Sequence, residues 1–446
     1  MVSNITHKLI YKFPEFFSLI YAYFIFYFFC KKKNNKKNSL NILVLNKHRY
    51  LGEIEALEKK FNINFYSFNH FTYSLISEPF IKTIRHKKKN KKWNEIYDKS
   101  FYKNYLKEHA NFLEKFLKHF KKLSKINFIL TPAIWYDQDK AWELAAKDID
   151  IKYIALHKEN NKETRANVLK IIVQKYKYFC PFYHGDYIFV YNNIEKHVLT
   201  KSKVLNDKSK IIVVGCPRFD QLYEPKLNSR KKVYITLFSF LENIVGYNQV
   251  GKKFKSEPFK ISGQFSNKKY FLSVHRIFFE SAIKNKNQKF IIKIKYDYIW
   301  KEKIIKIKKE VEKKFNTKIE NVEIIAQEKL AKDILSESKV VIGINSLSLI
   351  EARIMNIPVL VPIFDEFKKE MKNKIHYSKF FKKELKKVDN EKLFKNLINF
   401  YSINKFKKKK IIQKNFVKNY IGFYDNKSSL RTYLKLKELN KNISAI

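Results

Sequence analysis

Glycine is scarce in this chain, eight residues in 446, and one of the eight stands where chemistry could follow. Gly343 ends a β-branched run and precedes Asn345, Ser346 and Ser348, after which Leu349, Ile350, Glu351, Ala352 and Met355 follow at helical spacing. Asn345 or Ser346 can cap such a helix, and Asn356-Ile357-Pro358 stops it before the next strand. A helix start of this kind offers backbone N–H groups and serine hydroxyls to an anion. Gly343 would let phosphates come close to the backbone, and Glu351, one turn in, could accept hydrogen bonds from ribose hydroxyls. The plainer alternative is an ordinary βα turn with a capping serine and a surface glutamate.

These residues need a scaffold, and the hydrophobic pattern supplies one. From residue 41 onward, short β-branched runs alternate with longer amphipathic segments, the mark of a parallel sheet wrapped by helices. Strands are expected at 41–45, 63–68, 127–131, 152–156, 187–191 and 210–215, and in a second series at 233–238, 289–295, 322–326, 339–343 and 358–363. Residues 93–123 carry apolar side chains at helical spacing, 86–92 read as a charged loop, and the polar stretch 224–232 as an interdomain linker. The expected fold class is α/β: two Rossmann-like doubly wound domains behind an N-terminal apolar helix, with divisions 1–38, 39–224, 225–405 and a helical tail 406–446. Open α/β sheets bind ligands at the carboxyl ends of their strands, so the expected site lies between the two domains.

The length suits two or three domains, and 45% hydrophobic residues can fill their cores. Net charge is +50, with 84 lysines and eight arginines. Lys, Asn, Ile and Phe are in joint excess, which reads either as A/T-rich mutational bias or as a positive field for anionic headgroups and nucleotide sugars. Few arginines and no zinc-finger or RNP-type pattern argue against nucleic acid as a partner. Cys30, Cys180 and Cys216 are far apart and suggest neither a disulfide framework nor a zinc site. Residues 16–30 form an uncharged aromatic run stopped by Lys31, Lys32, Lys33, Lys36 and Lys37. It is shorter than the roughly 20 residues a spanning helix needs. An in-plane anchor on the cytoplasmic face of the inner membrane is expected, with a packed core helix as the alternative.

Residues 343–362, GINSLSLIEARIMNIPVLVP, resemble the donor-nucleotide segment of GT-B enzymes. KIIVVGCPRFDQL (210–222) resembles the Gly-x-Pro-Arg-x-Asp signature of CDP-glycerol glycerophosphotransferase-like and surface-carbohydrate biosynthesis proteins. KYIALHKEN (152–160) resembles their Leu-His-Lys-Glu turn and, more remotely, the His-x-Glu turn of non-hydrolysing UDP-N-acetylglucosamine 2-epimerases. KFIIKIK (289–295) resembles the strand that brings a basic residue to the donor phosphates. The resemblance implies cationic Arg218, Lys293 and Lys295 on the departing diphosphate, and His157 or Glu159 as the base for an acceptor hydroxyl. Lys293 and Lys295 share a face because strand side chains alternate. Lys158 would favour an ionised Glu159. Asp220 reads as fixing its turn, and His275 and Arg276 as structural members of an amphipathic helix.

The epimerases' Gly-Asp-Thr-like acid has no counterpart in ILTPAIWYDQD, and LFSFLEN (237–243) stands where they carry His-Arg-x-x-Asn. The Lys-x-His-Pro-like end of many glycerophosphotransferases is here KIKYDY. The expected function is therefore a metal-independent glycosyltransferase of capsule or lipopolysaccharide assembly. It would take a nucleotide sugar as donor and a glycan or lipid-linked acceptor, with no cofactor. The alternatives are a CDP-glycerol glycerophosphotransferase, a sugar-nucleotide 2-epimerase, and a non-catalytic scaffold at the membrane.

Overall fold

The structure, a computed structural model, describes residues 12–30, 39–68, 73, 76–77, 100–136, 139–158, 166–179, 183–205, 207–240, 268–294, 299–326, 328–344, 346–365, 385–404 and 412–444. The basic run 31–37, the charged loop 86–92, Cys180 and three expected site residues, Glu159, Lys295 and Asn345, lie outside the described residues. The chain divides into two units. One comprises Met1–Asn160, Ile172–Asp220 and Asp425–Ile446; the other comprises Asn161–Ile171 and Gln221–Tyr424.

In the first unit the strands are β1 (Leu40–Val44), β2 (Ile63–Ser67), β3 (Phe128–Thr131), β4 (Lys152–Leu156), β5 (Tyr187–Val190) and β6 (Ile211–Val213). They form one sheet in the order β2-β1-β3-β4-β5-β6, every pair parallel. All six carboxyl ends therefore lie at one edge. The order reverses between β1 and β3, where an open α/β sheet leaves its crevice.

Helix α1 (Pro14–Phe24) starts with proline, whose fixed φ suits a first turn. It runs on into a wider π turn, Ile25–Phe29. Helices α2 (Leu51–Lys60), α3 (Ser100–Ser124), α4 (Lys140–Asp148), α5 (Ala166–Phe179) and α6 (Asn193–Ser202) follow in chain order. In α3 the residues Phe112, Leu113, Phe116, Leu117 and Phe120 recur at three- and four-residue spacing and are buried. α1 lays Ser18, Ala22 and Ile25 against α3, and Phe26 sits between Tyr66 and Phe120. Its other face stays open: Phe16, Tyr27 and Phe28 are 60%, 66% and 74% exposed. Among the described residues no helix is long and apolar enough to cross a membrane.

The second unit holds β7 (Tyr234–Phe238), β8 (Lys289–Lys293), β9 (Val322–Ile325), β10 (Ser338–Gly343), β11 (Val359–Pro362) and β12 (Lys386–Val388). Their order is β12-β11-β10-β7-β8-β9, again all parallel, and the reversal falls between β7 and β10. The helices are α7 (Lys268–Lys284), α8 (Ile299–Phe315), α9 (Ala331–Ser336), α10 (Leu347–Ile354) and α11 (Glu391–Ile403). This is a doubly wound arrangement.

The chain ends in α12 (Ser428–Ser444), which belongs to the first unit. Leu436 and Leu439 enter the core beside Ile54 and Leu57, and Tyr433 stacks on Phe61 at 4.5 Å. Asp220, 1% exposed, accepts the backbone N–H groups of Ser428 and Ser429 at 3.0 and 2.7 Å. Its carboxylate thus satisfies two of the donors that a helix start leaves over. Each large apolar side chain buried in this way contributes about 1.5–3 kcal/mol.

Candidate functional site

In the second unit the strand order reverses at the paired ends of β7 and β10, the place where an open α/β sheet takes a ligand. Strand register places Phe238 beside Gly343 on one side and Lys293 on the other. The ends of β8, β7 and β10 therefore bring Lys293 and the Gly343 turn to one edge. A Cβ on Gly343 would stand 3.2 Å from the Phe238 carbonyl oxygen and 3.2 Å from Leu349 Cδ2. Glycine is what lets the first turn of α10 and the end of β7 close together here.

Beyond it, Ser346 adopts an extended conformation and caps α10, its Oγ accepting from the Ser348 N–H at 3.2 Å. Ser346 and Ser348 are half-buried. Glu351, one turn into α10, is buried at 5% exposure, not at the surface. Arg353, also buried, donates to the Ile357 carbonyl at 3.3 Å and so closes the turn that Asn356 makes in the left-handed region.

Two side chains that spacing alone leaves unlinked meet at the same edge. Ser239 follows β7 directly, and its N–H donates to the Lys293 carbonyl at 2.9 Å. Its Oγ lies 2.9 Å from Nε2 of His275, a fully buried residue of α7. His275 lies in a helix, as the sequence led one to expect, and its partner stands at the carboxyl end of β7. Tyr270 donates to the Pro362 carbonyl at 2.6 Å and Trp300 to the Phe240 carbonyl at 2.9 Å, which fixes the neighbouring strand ends.

In the first unit a buried carboxylate stands just beyond the ends of β1 and β3. Asp139 accepts from Asn46 Nδ2 at 3.0 Å, Thr131 Oγ1 at 2.6 Å and Tyr73 OH at 2.7 Å. Burial pushes its pKa up, against the opposing pull of these hydrogen bonds. Next to it, Lys140 pairs with Glu143 at 3.1 Å, both buried, and donates to the Ile134 carbonyl at 3.0 Å. Desolvation raises Glu143 to about 7, with Lys140 opposing the shift. Asp139 and Glu143 were legible only as the acidic positions flanking Lys140 at the start of a helix; nothing in the spacing said they would be buried.

The sequence contains two Asp-x-Asp triplets, 137–139 and 148–150, which the metal-independent expectation has to meet. Asp137 lies outside the described residues, and both Asp139 oxygens already accept hydrogen bonds. Asp148 and Asp150 are exposed and precede β4, at the opposite edge from the strands' carboxyl ends. Among the described residues no group of three or more His, Cys, Asp or Glu could hold a metal ion.

His157 directly follows β4, and its ring is fully buried. Nε2 lies 3.1 Å from Glu195 Oε1, which also accepts from Tyr176 OH at 2.6 Å, and Trp135 meets the ring edge-on at 4.8 Å. Lys158, the next residue, donates to the Arg49 carbonyl at 2.8 Å. Arg218 stands after β6, its Nε 3.6 Å from Glu53 Oε1, the oxygen that accepts Tyr191 OH at 2.6 Å. The described candidates thus fall into two groups. Lys293, Gly343, Ser346, Ser348 and Glu351 share the second unit's strand-end edge, whereas His157 and Arg218 follow strands of the first.

No family profile and no curated protein matches this sequence. Among solved structures the chain is similar to a protein described as a UDP-N-acetylglucosamine 2-epimerase from Listeria monocytogenes, with a TM-score of 0.50 at 13% identity over 91% of this chain and 97% of that one. It is also similar to a glycosyltransferase from Rickettsia africae, at a TM-score of 0.43 and 15% identity over 91% of this chain and 100% of the other. For the wall teichoic acid polymerase TagF the values are 0.48 and 10%, over 99% and 97%. At such identities the likeness speaks for architecture alone: the chain has a two-domain α/β fold of GT-B type.

Proposed function

We propose that the chain is a transferase that moves a sugar from a nucleotide-activated donor to a growing surface glycan or lipid-linked acceptor. The observation that carries the proposal is the placement of a lysine and a capped, glycine-led helix start on strands either side of β7, at the reversal point of a doubly wound sheet. Phosphates are held in such a place by backbone N–H groups and a nearby cation. Lys293 and the Ser346 turn, with Lys295 and Asn345, would stabilise the departing nucleotide, and Glu351 would take the ribose hydroxyls. No metal or cofactor enters this scheme.

Of the two base candidates, Glu159 is assigned the proton transfer. His157 is sealed against Glu195 and Trp135 and is assigned the positioning of the segment that leads to Glu159. The resemblances in residues 152–160, 210–222 and 343–362 favour transfer, and the absence of the epimerases' His-Arg-x-x-Asn at 237–243 weighs against epimerisation. The open aromatic face of α1 and the lysines that follow it support attachment to the cytoplasmic face of a membrane, where lipid-linked acceptors reside.

Titration with UDP, CDP, GDP and CMP tests the donor site. Lys293→Ala and Glu351→Ala should each weaken the preferred nucleotide about tenfold or more, since each removes a charged hydrogen-bonding partner. Affinities equal to wild type in both variants would misplace the site. Conversion of UDP-N-acetylhexosamine to its C2 epimer without any acceptor would favour epimerisation instead.

A further inference from the structure

Ser239 and His275 fix one another's protons. His275 Nδ1 lies 2.7 Å from the Phe271 carbonyl oxygen, which can only accept, so Nδ1 carries the hydrogen. Burial lowers the His275 pKa to about 4, which keeps the ring neutral and leaves Nε2 a pure acceptor. The group facing Nε2, at 2.9 Å, is the Ser239 hydroxyl. Its hydrogen is therefore committed to the imidazole, and Phe240 and Phe271 pack around the ring and hold it in place. What Ser239 has left to offer is oxygen lone pairs. It offers them from a half-buried position at the carboxyl end of β7, flanked by the ends of β10 and β8.

A serine at a strand end beside a glycine-led turn would ordinarily be read as a phosphate donor. Here it cannot be one, because phosphate oxygens at neutral pH only accept, and two acceptors facing each other repel. We infer that Ser239 is an acceptor-only recognition residue that meets a hydroxyl of the bound nucleotide-activated donor, not its phosphates, and that His275 is the positioning residue that imposes this polarity. The inference rests on the nucleotide-site reading of this strand-end edge. It divides that edge into a phosphate-facing part at the Gly343 turn and a hydroxyl-facing part at Ser239.

The test compares ligands with and without hydroxyls on the full-length protein: inorganic pyrophosphate, UDP and CDP, and UDP-glucose and CDP-glycerol. Ser239→Ala should weaken a hydroxyl-bearing ligand about five- to tenfold, the worth of one hydrogen bond, and leave pyrophosphate unchanged. A loss already present with UDP or CDP assigns the hydroxyl to the ribose; a loss confined to UDP-glucose or CDP-glycerol assigns it to the transferred group. His275→Leu frees the serine hydrogen and should lower the ratio of nucleotide to pyrophosphate affinity. His275→Gln, whose side-chain oxygen can take the same hydrogen bond, should retain the wild-type ratio. Melting temperatures of all variants separate this change in selectivity from a loss of packing, which would weaken every ligand alike. Equal losses for pyrophosphate and nucleotide in Ser239→Ala, or no loss for either, would overturn the inference while leaving the nucleotide site standing. Wild-type protein that binds none of these ligands would remove the nucleotide site and this inference with it.

Discussion

Glu143 and Lys140 face each other with 1% and 5% of their side chains exposed, and burial raises Glu143 from 4.5 to about 7. Between those two values the unfolded chain has already released a proton that the folded chain keeps, so rising pH takes stability away, by up to about 3 kcal/mol across the window. Glu143→Gln is neutral throughout and lacks this dependence. Measured by urea unfolding at several pH values, the stability of the variant relative to wild type should climb from pH 4.5 to pH 7. Taking the difference isolates Glu143 from His109 and His275, whose lowered pKa values act in the opposite direction. A difference that stays flat with pH would mean that Glu143 is already ionised in the folded protein. The sequence could not have announced this pair. An i, i+3 Lys and Glu on a helix is usually a solvated surface contact, and burial depends on α4 packing against α3 and β4, which local spacing does not encode. Ser239 and His275 are hidden for the same reason: thirty-six residues separate them, and only the fold brings them together.

At the scale of elements, Gly343 shows what could be read and what could not. Its scarcity and position marked it, and the helix start after it was legible with Asn345 or Ser346 as the cap, of which Ser346 holds that place. The steric reason was not, because the obstacle to a Cβ that cannot rotate away is the carbonyl of Phe238, more than a hundred residues earlier, brought alongside by strand register. Gly343→Ala should therefore destabilise the second unit by about 1–3 kcal/mol, since Leu349 can rotate away but a strand carbonyl cannot. Urea unfolding that places the variant level with wild type would show that β7 shifts freely. Eleven strands were visible as β-branched runs to within about two residues, because burial on both faces of a parallel sheet demands continuous apolar sequence. β12 was not, since Lys386 and Lys387 are exposed and only Val388 is buried. An edge strand that short carries no hydrophobic signal.

At the scale of the whole molecule, a chain of charge +50 leaves an uncharged aromatic face open on α1. Phe16, Ile20, Tyr23 and Tyr27 fall at four- and three-residue spacing on one side, opposite Ser18, Ala22 and Ile25, which are buried against α3. The sequence offered an in-plane anchor and a core helix as alternatives; the helix packs one face against α3 and leaves the other exposed. A net charge of +50 would repel a second copy of the chain and attract an anionic bilayer. Phosphatidylserine- or cardiolipin-containing vesicles should bind the protein more tightly than phosphatidylcholine vesicles, and added salt should weaken that binding, since each lysine near the surface contributes about 1 kcal/mol. The Phe16→Ser/Ile20→Ser/Tyr27→Ser/Phe28→Ser variant alters only exposed side chains, so it should keep the wild-type melting temperature. It should nevertheless stay unbound in a vesicle flotation assay, because each apolar side chain withdrawn from the interface forfeits about 1.5–3 kcal/mol. Flotation equal to wild type would leave attraction by the lysines as the whole of the membrane affinity, and α1 as a helix whose outer face has no lipid to meet.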